Sequence, residues 1–315
     1  MIRKALIVGL KSFSLNKKEK IFLRDERPWG VILFSRNIKS LVQLRRLTRS
    51  IRICIKDKNY PILIDQEGGS VSRFNKIIDL SCFTQSSFEE FSVKENNNFI
   101  EFYQEYIKKV CDIMKMTGIN INTIPVLDVR RKNTHKIIGN RSFSSNPNTV
   151  TKLGNLCVKF CQKNKIGTVI KHIPGHGLAK NDSHFKLERI NASKKELSIK
   201  DFKPFKKNNS FFAMTAHLIY NKYDPLNTAT HSKIIINRVI RKIIGYKGIL
   251  ISDDISMKAL KYNLQTNATK ALKSGCNLVL HCNGKIHEMR KLARIIPTID
   301  VFTQKKTSQF YKFLS

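Results

Sequence analysis

Eight short apolar runs recur along the chain, at residues 5–10, 30–34, 61–65, 119–129 (broken by Pro125), 167–172, 211–217, 248–252 and 276–281. Each is bounded by turn residues and leads into a polar or helix-like stretch. Several are apolar at successive positions rather than alternate ones, the pattern of parallel strands covered on both faces. Amphipathic stretches lie between them. Leu41, Leu44, Leu47, Ile51 and Ile55 fall on one helical face, and Val150, Leu153, Leu156 and Phe160 fall on another, with Asn148 as its expected N-cap. Eight strands alternating with helices in 315 residues predict a single-domain α/β chain, a (β/α)8 barrel over residues 1–315. Residues 76–98 read as a longer connection, and a short helical tail is expected from about 296. A doubly wound sheet is the alternative, but no G-x-G-x-x-G turn comes after the first run.

Composition narrows the function classes. Seven cysteines, with no C-x-x-C pair, do not make a disulfide framework. Cys157 and Cys161 sit one helical turn apart, yet no second ligand pair accompanies them, so they read as buried free thiols of a reducing compartment. The apolar run near the N-terminus is too short for a signal peptide, and no run of about 18 apolar residues occurs. The expectation is a cytoplasmic protein with no membrane partner. A formal charge of +35 invites a nucleic-acid reading. The lysines are scattered through every segment, however, with no basic tail and no aromatic–basic interleaving. No dedicated nucleic-acid partner is expected; a salt-sensitive affinity for polyanions stays open.

In such a barrel the active site lies at the C-terminal ends of the strands. The residues at the end of each run therefore test the assignment. The third run ends in Asp65-Gln-Glu-Gly-Gly69 with Arg73 soon after, and the fourth at Asp128, with Gly139-Asn-Arg-Ser-Phe143 beyond. The fifth opens into Lys171-His-Ile-Pro-Gly-His-Gly-Leu-Ala-Lys-Asn-Asp-Ser-His184, the sixth ends in Thr215-Ala-His217 and the seventh in Ser252-Asp-Asp254. Singly, a strand-end aspartate is as readily a helix cap, and a lone histidine a satisfied polar group. Five strand ends presenting such groups together point to a site. A metal-dependent amidohydrolase would use similar residues, but its usual H-x-H after the first strand is missing from Leu10-Lys-Ser-Phe-Ser14. Glycoside hydrolysis, which needs a carboxylate on one face of a sugar and a proton donor on the other, fits better. No metal and no cofactor are expected.

These residues also carry a family resemblance. Gly30-Val-Ile-Leu-Phe-Ser-Arg-Asn37, Asp65-Gln-Glu-Gly-Gly-Ser-Val-Ser-Arg73, Ile124-Pro-Val-Leu-Asp-Val129, Asn140-Arg-Ser-Phe143, the 171–184 loop and Ile251-Ser-Asp-Asp-Ile-Ser-Met257 closely resemble bacterial β-N-acetylglucosaminidases of glycoside hydrolase family 3. The resemblance runs in order from about residue 29 to about 283. It implies a one-domain barrel that trims non-reducing terminal N-acetylglucosamine from peptidoglycan fragments during cell-wall recycling; a monomer acting on a small muropeptide is expected.

By this resemblance Asp253 is the nucleophile and His184 the general acid/base, with Asp182 orienting it. Asp65, Arg73, Arg141, Lys171 and His172 match the positions that hold the sugar. Pattern alone does not choose Asp253 over Asp254, because neighbouring strand residues point to opposite sides and both parities of this run are apolar. His176 and His217 are expected as supporting groups. The chain departs from the family at Asn140, Ser70 and Thr215, where glutamate, arginine and proline are common, which bears on affinity beyond the first sugar. A phosphorylase and a non-catalytic binder of wall fragments or polyanions remain as alternatives.

Overall fold

Strand pairing closes a ring. In the computed structural model, which describes residues 2–94, 98–132, 134, 138–180 and 187–315, ten strands form: β1 (Lys4–Gly9), β2 (Pro28–Leu33), β3 (Ile62–Ile64), β4 (Ile121–Asn122), β5 (Gly167–Ile173), β6 (Glu188–Ile190), β7 (Phe212–Thr215), β8 (Leu218–Tyr220), β9 (Ile249–Asp254) and β10 (Leu278–His281). Eight of them pair in the order β1-β10-β9-β7-β5-β4-β3-β2, every pair parallel, and β2 returns to β1. The eight expected runs are these eight barrel strands in sequence.

Helices come after most strands: α1 (Lys17–Glu26), α2 (Leu41–Ile55), α3 (Gln85–Lys94), α4 (Phe99–Met116), α5 (Pro147–Lys163), α6 (Lys194–Ile199), α7 (Leu264–Ser274), α8 (Ile286–Ile295) and α9 (Val301–Leu314). Their inner faces bury apolar residues against the ring, as Leu44, Leu47, Ile51 and Ile55 do on α2. Leu41 at the start of that face is exposed instead, and Leu156 on α5 is only half-buried.

Some local expectations are corrected. The N-cap of α5 is Asn146, not Asn148: the Asn146 side chain accepts from the Asn148 backbone N–H, and Pro147 takes the first helical position, where it has no N–H to leave unsatisfied. The 76–98 connection contains α3, whose Phe88 is buried among Phe83, Tyr103 and Tyr106. The sixth run stops pairing in the barrel at Thr215; residues 218–220 turn away to pair with β6 in a separate two-stranded sheet. The fourth run is a ladder of only two residues, because Pro125 has no N–H to donate. Pairing resumes beyond it, where the Leu127 N–H donates to the Lys171 carbonyl at 2.7 Å.

The end of the chain is a packed helix that closes the N-terminal mouth of the barrel. Phe310 of α9 is fully buried and lies edge-on to Phe212 at 5.1 Å, at the start of β7. A Cβ on Gly167, at the start of β5, would come within 2.7 Å of the Phe310 ring. Trp29 at the start of β2 donates its indole N–H to Thr307 of α9 at 2.9 Å. Among the described residues no helix is long and apolar enough to cross a membrane.

Candidate active site

A cavity of about 240 Å3 opens at the C-terminal ends of the barrel strands. Its size is below the roughly 300–1,000 Å3 usual for drug-sized ligands, the scale of a single sugar residue. Polar groups reach it from the end of β3 and the turn beyond (Asp65, Arg73), from the end of β4 and the loop after it (Thr123, Arg141), from β5 and the turn after it (Lys171, His172, His176) and from β9 (Asp253, Asp254). Ile32, Phe34, Met214, Met257 and Leu280 supply apolar wall.

Asp65 ends a buried strand, so its carboxylate must be satisfied by protein groups. Its Oδ1 accepts from Lys171 Nζ at 2.7 Å and from the Thr123 hydroxyl at 2.6 Å; its Oδ2 accepts from Arg73 at 2.5 Å. Burial pushes the Asp65 carboxyl up, but the charges of Lys171 and Arg73 and these hydrogen bonds hold it well below the usual carboxylate range. The turn that brings Arg73 back depends on Gly68, at φ +94°, where a Cβ would strike the Phe83 carbonyl at 2.2 Å.

Glu67 lies beneath this layer, and no sequence pattern singles it out. It accepts a two-pronged contact from Arg141, Nε to Oε2 at 2.7 Å and Nη2 to Oε1 at 2.8 Å, and it also pairs with Lys171. Burial would raise its carboxyl and lower the Lys171 ammonium. The mutual charges outweigh both effects, so that the glutamate is lowered and the lysine raised. Lys171, Arg141, Asp65 and Glu67 thus hold one another in their charged forms.

Asp128 is the second residue whose task the pattern does not reveal. It is fully buried, and its Oδ1 accepts the backbone N–H groups of His172 (3.1 Å) and His176 (2.7 Å). Its Oδ2 accepts from His172 Nδ1 at 2.7 Å. Burial would raise this carboxyl, and the facing His172 brings it below its ordinary value. One carboxylate therefore shapes the first turn of the 171–184 loop. Gly177 in that loop has no room for a side chain, since a Cβ would fall 1.8 Å from the Val129 carbonyl oxygen.

Asp253 and Asp254 both line the cavity, but Asp254 is committed to its own loop. It accepts from the Ser256 N–H at 3.0 Å and the Ser256 hydroxyl at 2.8 Å, and its carbonyl faces His217 Nε2 at 3.0 Å. Asp253 lines the cavity beside it, its Oδ1 accepting from the Asp254 N–H at 2.8 Å. His217 is buried with Nδ1 against Thr230 and is not among the cavity-lining residues. His176 does line it; burial, with the neighbouring His172, pushes its imidazole down to about 4, so it is neutral near pH 7. Asp182 and His184 lie outside the described residues.

The structure thus brings Asp65, Arg73, Arg141, Lys171, His172 and Asp253 to one cavity. Among the described residues no group of three or more His, Cys, Asp or Glu is arranged to hold a metal ion. Alternating donors and acceptors with an apolar wall suit a polyhydroxylated ring, and the carboxylate of Asp253 at its edge is a potential nucleophile.

Comparison with known proteins agrees with this geometry. Residues 4–310 match the glycosyl hydrolase family 3 N-terminal domain. A β-hexosaminidase of Hydrogenovibrio crunogenus is 33% identical over 295 residues, covering 92% of this chain and 82% of that protein. NagZ from Neisseria gonorrhoeae, solved in complex with N-trifluoroacetyl-D-glucosamine, superposes with a TM-score of 0.87 at 27% identity, covering 100% of this chain and 90% of that one. A family 3 β-N-acetylglucosaminidase from Paenibacillus sp. str. FPU-7 shares the fold with a TM-score of 0.88 at 21% identity, and this chain spans 60% of its length.

Proposed function

The chain belongs to glycoside hydrolase family 3, and from that premise we propose that it is a retaining β-N-acetylhexosaminidase. It releases non-reducing terminal N-acetylglucosamine from β-1,4-linked peptidoglycan fragments, the GlcNAc-anhydroMurNAc peptides of cytoplasmic cell-wall recycling. One observation carries this reading: Asp253 and the Asp65, Arg73, Lys171, His172 set share a cavity of single-sugar size. The β-hexosaminidase relative and the sugar-bound NagZ structure support it.

In the first step the Asp253 carboxylate attacks the anomeric carbon while the glycosidic bond breaks. The leaving oxygen takes a proton, and a covalent glycosyl-enzyme results. In the second step water attacks the same carbon, gives up a proton and frees Asp253. Two inversions leave the configuration retained. His184 gives and then takes the proton, oriented by Asp182; both roles rest on the family resemblance. An imidazole suits the task, because its ordinary pKa lies near neutrality.

The remaining residues bind and orient. Asp65 accepts from ring hydroxyls, while Arg73, Lys171 and His172 donate, and Arg141 holds Glu67 and the cavity wall. Fixing the ring beside Asp253 contributes by orientation and by favouring distortion towards the oxocarbenium-like transition state. The decisive test is mass-spectrometric product analysis on purified GlcNAc-anhydroMurNAc peptides. Free N-acetylglucosamine plus the anhydroMurNAc peptide is the expected pair. An intact substrate, or cleavage within the peptide, contradicts the proposal.

A further inference from the structure

Helix α2 has two faces of different chemistry. The inner one is apolar and buried. The outer one carries Val42, Arg45, Arg46, Arg49 and Ile53, at spacings of i, i+3, i+4, i+7 and i+11 that put them in one stripe. Val42 and Ile53 are 62% and 65% exposed. The stripe lines a trough of about 1010 Å3 together with Lys56, Asp57 and Lys58 beyond the helix and Lys115 and Met116 at the end of α4; the one carboxylate among these residues, Asp57, is paired with Arg3. This concavity lies on the flank of the barrel and shares no lining residue with the strand-end cavity.

Two features describe the charge of the trough. Among the described residues no ion pair engages Arg45, Arg46 or Arg49, whereas neighbouring Lys115 is paired with Asp112 at 2.8 Å. The choice of cation is also selective. The chain has 41 lysines and 17 arginines, yet all four cations of α2 are arginine. Helix propensity does not separate the two residues. What separates them is the planar guanidinium fork, which binds carboxylates with two parallel hydrogen bonds. Arg52 is spent on the fold, donating to the Gly118 carbonyl at 2.6 Å; the other three point outward.

We propose that this trough docks an acidic, amphipathic helical segment of a partner protein. Carboxylates of that segment pair with Arg45, Arg46 and Arg49, and its apolar side chains rest on Val42, Ile53 and Met116. The dimensions agree: the 15 residues of α2 span about 22 Å, matching about four turns of a partner helix. A single-stranded nucleic acid is a poorer occupant. It gains nothing from exposed aliphatic residues, and among the described residues no aromatic ring lines the trough to stack a base. A lipid surface is flat, and this site is concave.

Fluorescence anisotropy of the full chain with a labelled 18-residue model helix, bearing leucines along one face and glutamates beside them, tests the proposal at 0.15 M salt. Arg45→Gln/Arg46→Gln/Arg49→Gln should weaken binding at least about tenfold, since several exposed pairs add where one would be nearly silent. Val42→Ser/Ile53→Ser should weaken it several-fold without any change of charge. A control removing equal charge elsewhere, Lys194→Gln/Lys195→Gln/Lys242→Gln, should change it less than twofold. Equal weakening by the control, or no effect of Val42→Ser/Ile53→Ser, overturns the proposal. So does tighter binding of polyuridylate or of phosphatidylglycerol vesicles that depends on the same arginines. Glycosidase activity should be unchanged in all these variants.

Discussion

Asp128 and His172 are joined by two hydrogen bonds, from the His172 backbone N–H to Oδ1 (3.1 Å) and from Nδ1 to Oδ2 (2.7 Å). Facing an ionised carboxylate, Nδ1 carries the proton, and Nε2 is the ring nitrogen available to a ligand. Asp128 is thus a positioning residue that fixes both the ring and the turn beneath it.

Replacing Asp128 by Asn keeps the shape and removes the charge. The imidazole then loses its tautomer preference, and kcat should fall about a hundredfold, the scale of loss from small misplacement of a binding group. Steady-state kinetics beside circular dichroism checks this. A native-like spectrum with unchanged kcat would show that the pair is structural only.

Glu67 answers both Arg141 and Lys171 in a buried layer. Glu67→Ala removes the carboxylate that Arg141 and Lys171 share, while Lys171 keeps Asp65 at 2.7 Å; breaking such a buried pair should cost about 3–5 kcal/mol of stability. Chemical denaturation of the variant measures this directly. A loss below about 1 kcal/mol would mean that water enters and takes over the role.

These two carboxylates also show where pattern reading stops. The eight barrel strands are legible because each must be apolar over its length, and their ends can be read off by position. Asp65, Arg73, Arg141, Lys171, His172 and Asp253 come from motifs at those ends. Glu67 sits inside one of these motifs, but its partner Arg141 is 74 residues away, and no local spacing announces that pairing. Asp128 likewise reaches 44 residues to His172. The β6–β8 sheet and helix α3 escape for a related reason: both are short and stabilised by tertiary contacts rather than by their own periodicity.

Acid should destabilise the fold from about pH 6.5 downward. Burial, helped by a neighbouring histidine in each case, pushes His176 and His231 down to about 4. Both are neutral in the folded chain while the unfolded chain takes up protons below about 6.5. Their contribution is complete above that pH and is lost as pH falls towards 4, on the order of 3 kcal/mol each. Asp201, which burial raises to about 6, works in the opposite sense: it favours the folded chain as pH falls from 6 towards its ordinary value. Two histidines against one aspartate leave a net loss. Thermal unfolding from pH 7 to 4 should therefore show a falling Tm, with a shallower fall in His231→Asn. A flat profile would contradict the assignment.

The proposed proton transfer has its own signature. His184→Ala should depress cleavage of natural sugars, whose leaving oxygen needs a proton, much more than cleavage of activated aryl glycosides. Comparing kcat on the two substrate types measures the difference. Equal losses on both would count against His184 as the acid.

The central claim is that Asp253 forms the glycosyl bond in a hydrolytic cycle. A chromogenic aryl N-acetylglucosaminide, assayed with and without inorganic phosphate for the native chain and for Asp253→Ala, tests it most directly. The native chain should release free N-acetylglucosamine at a rate that phosphate does not alter, and Asp253→Ala should fall to background. Release of a sugar 1-phosphate, or substantial turnover by Asp253→Ala, would contradict it.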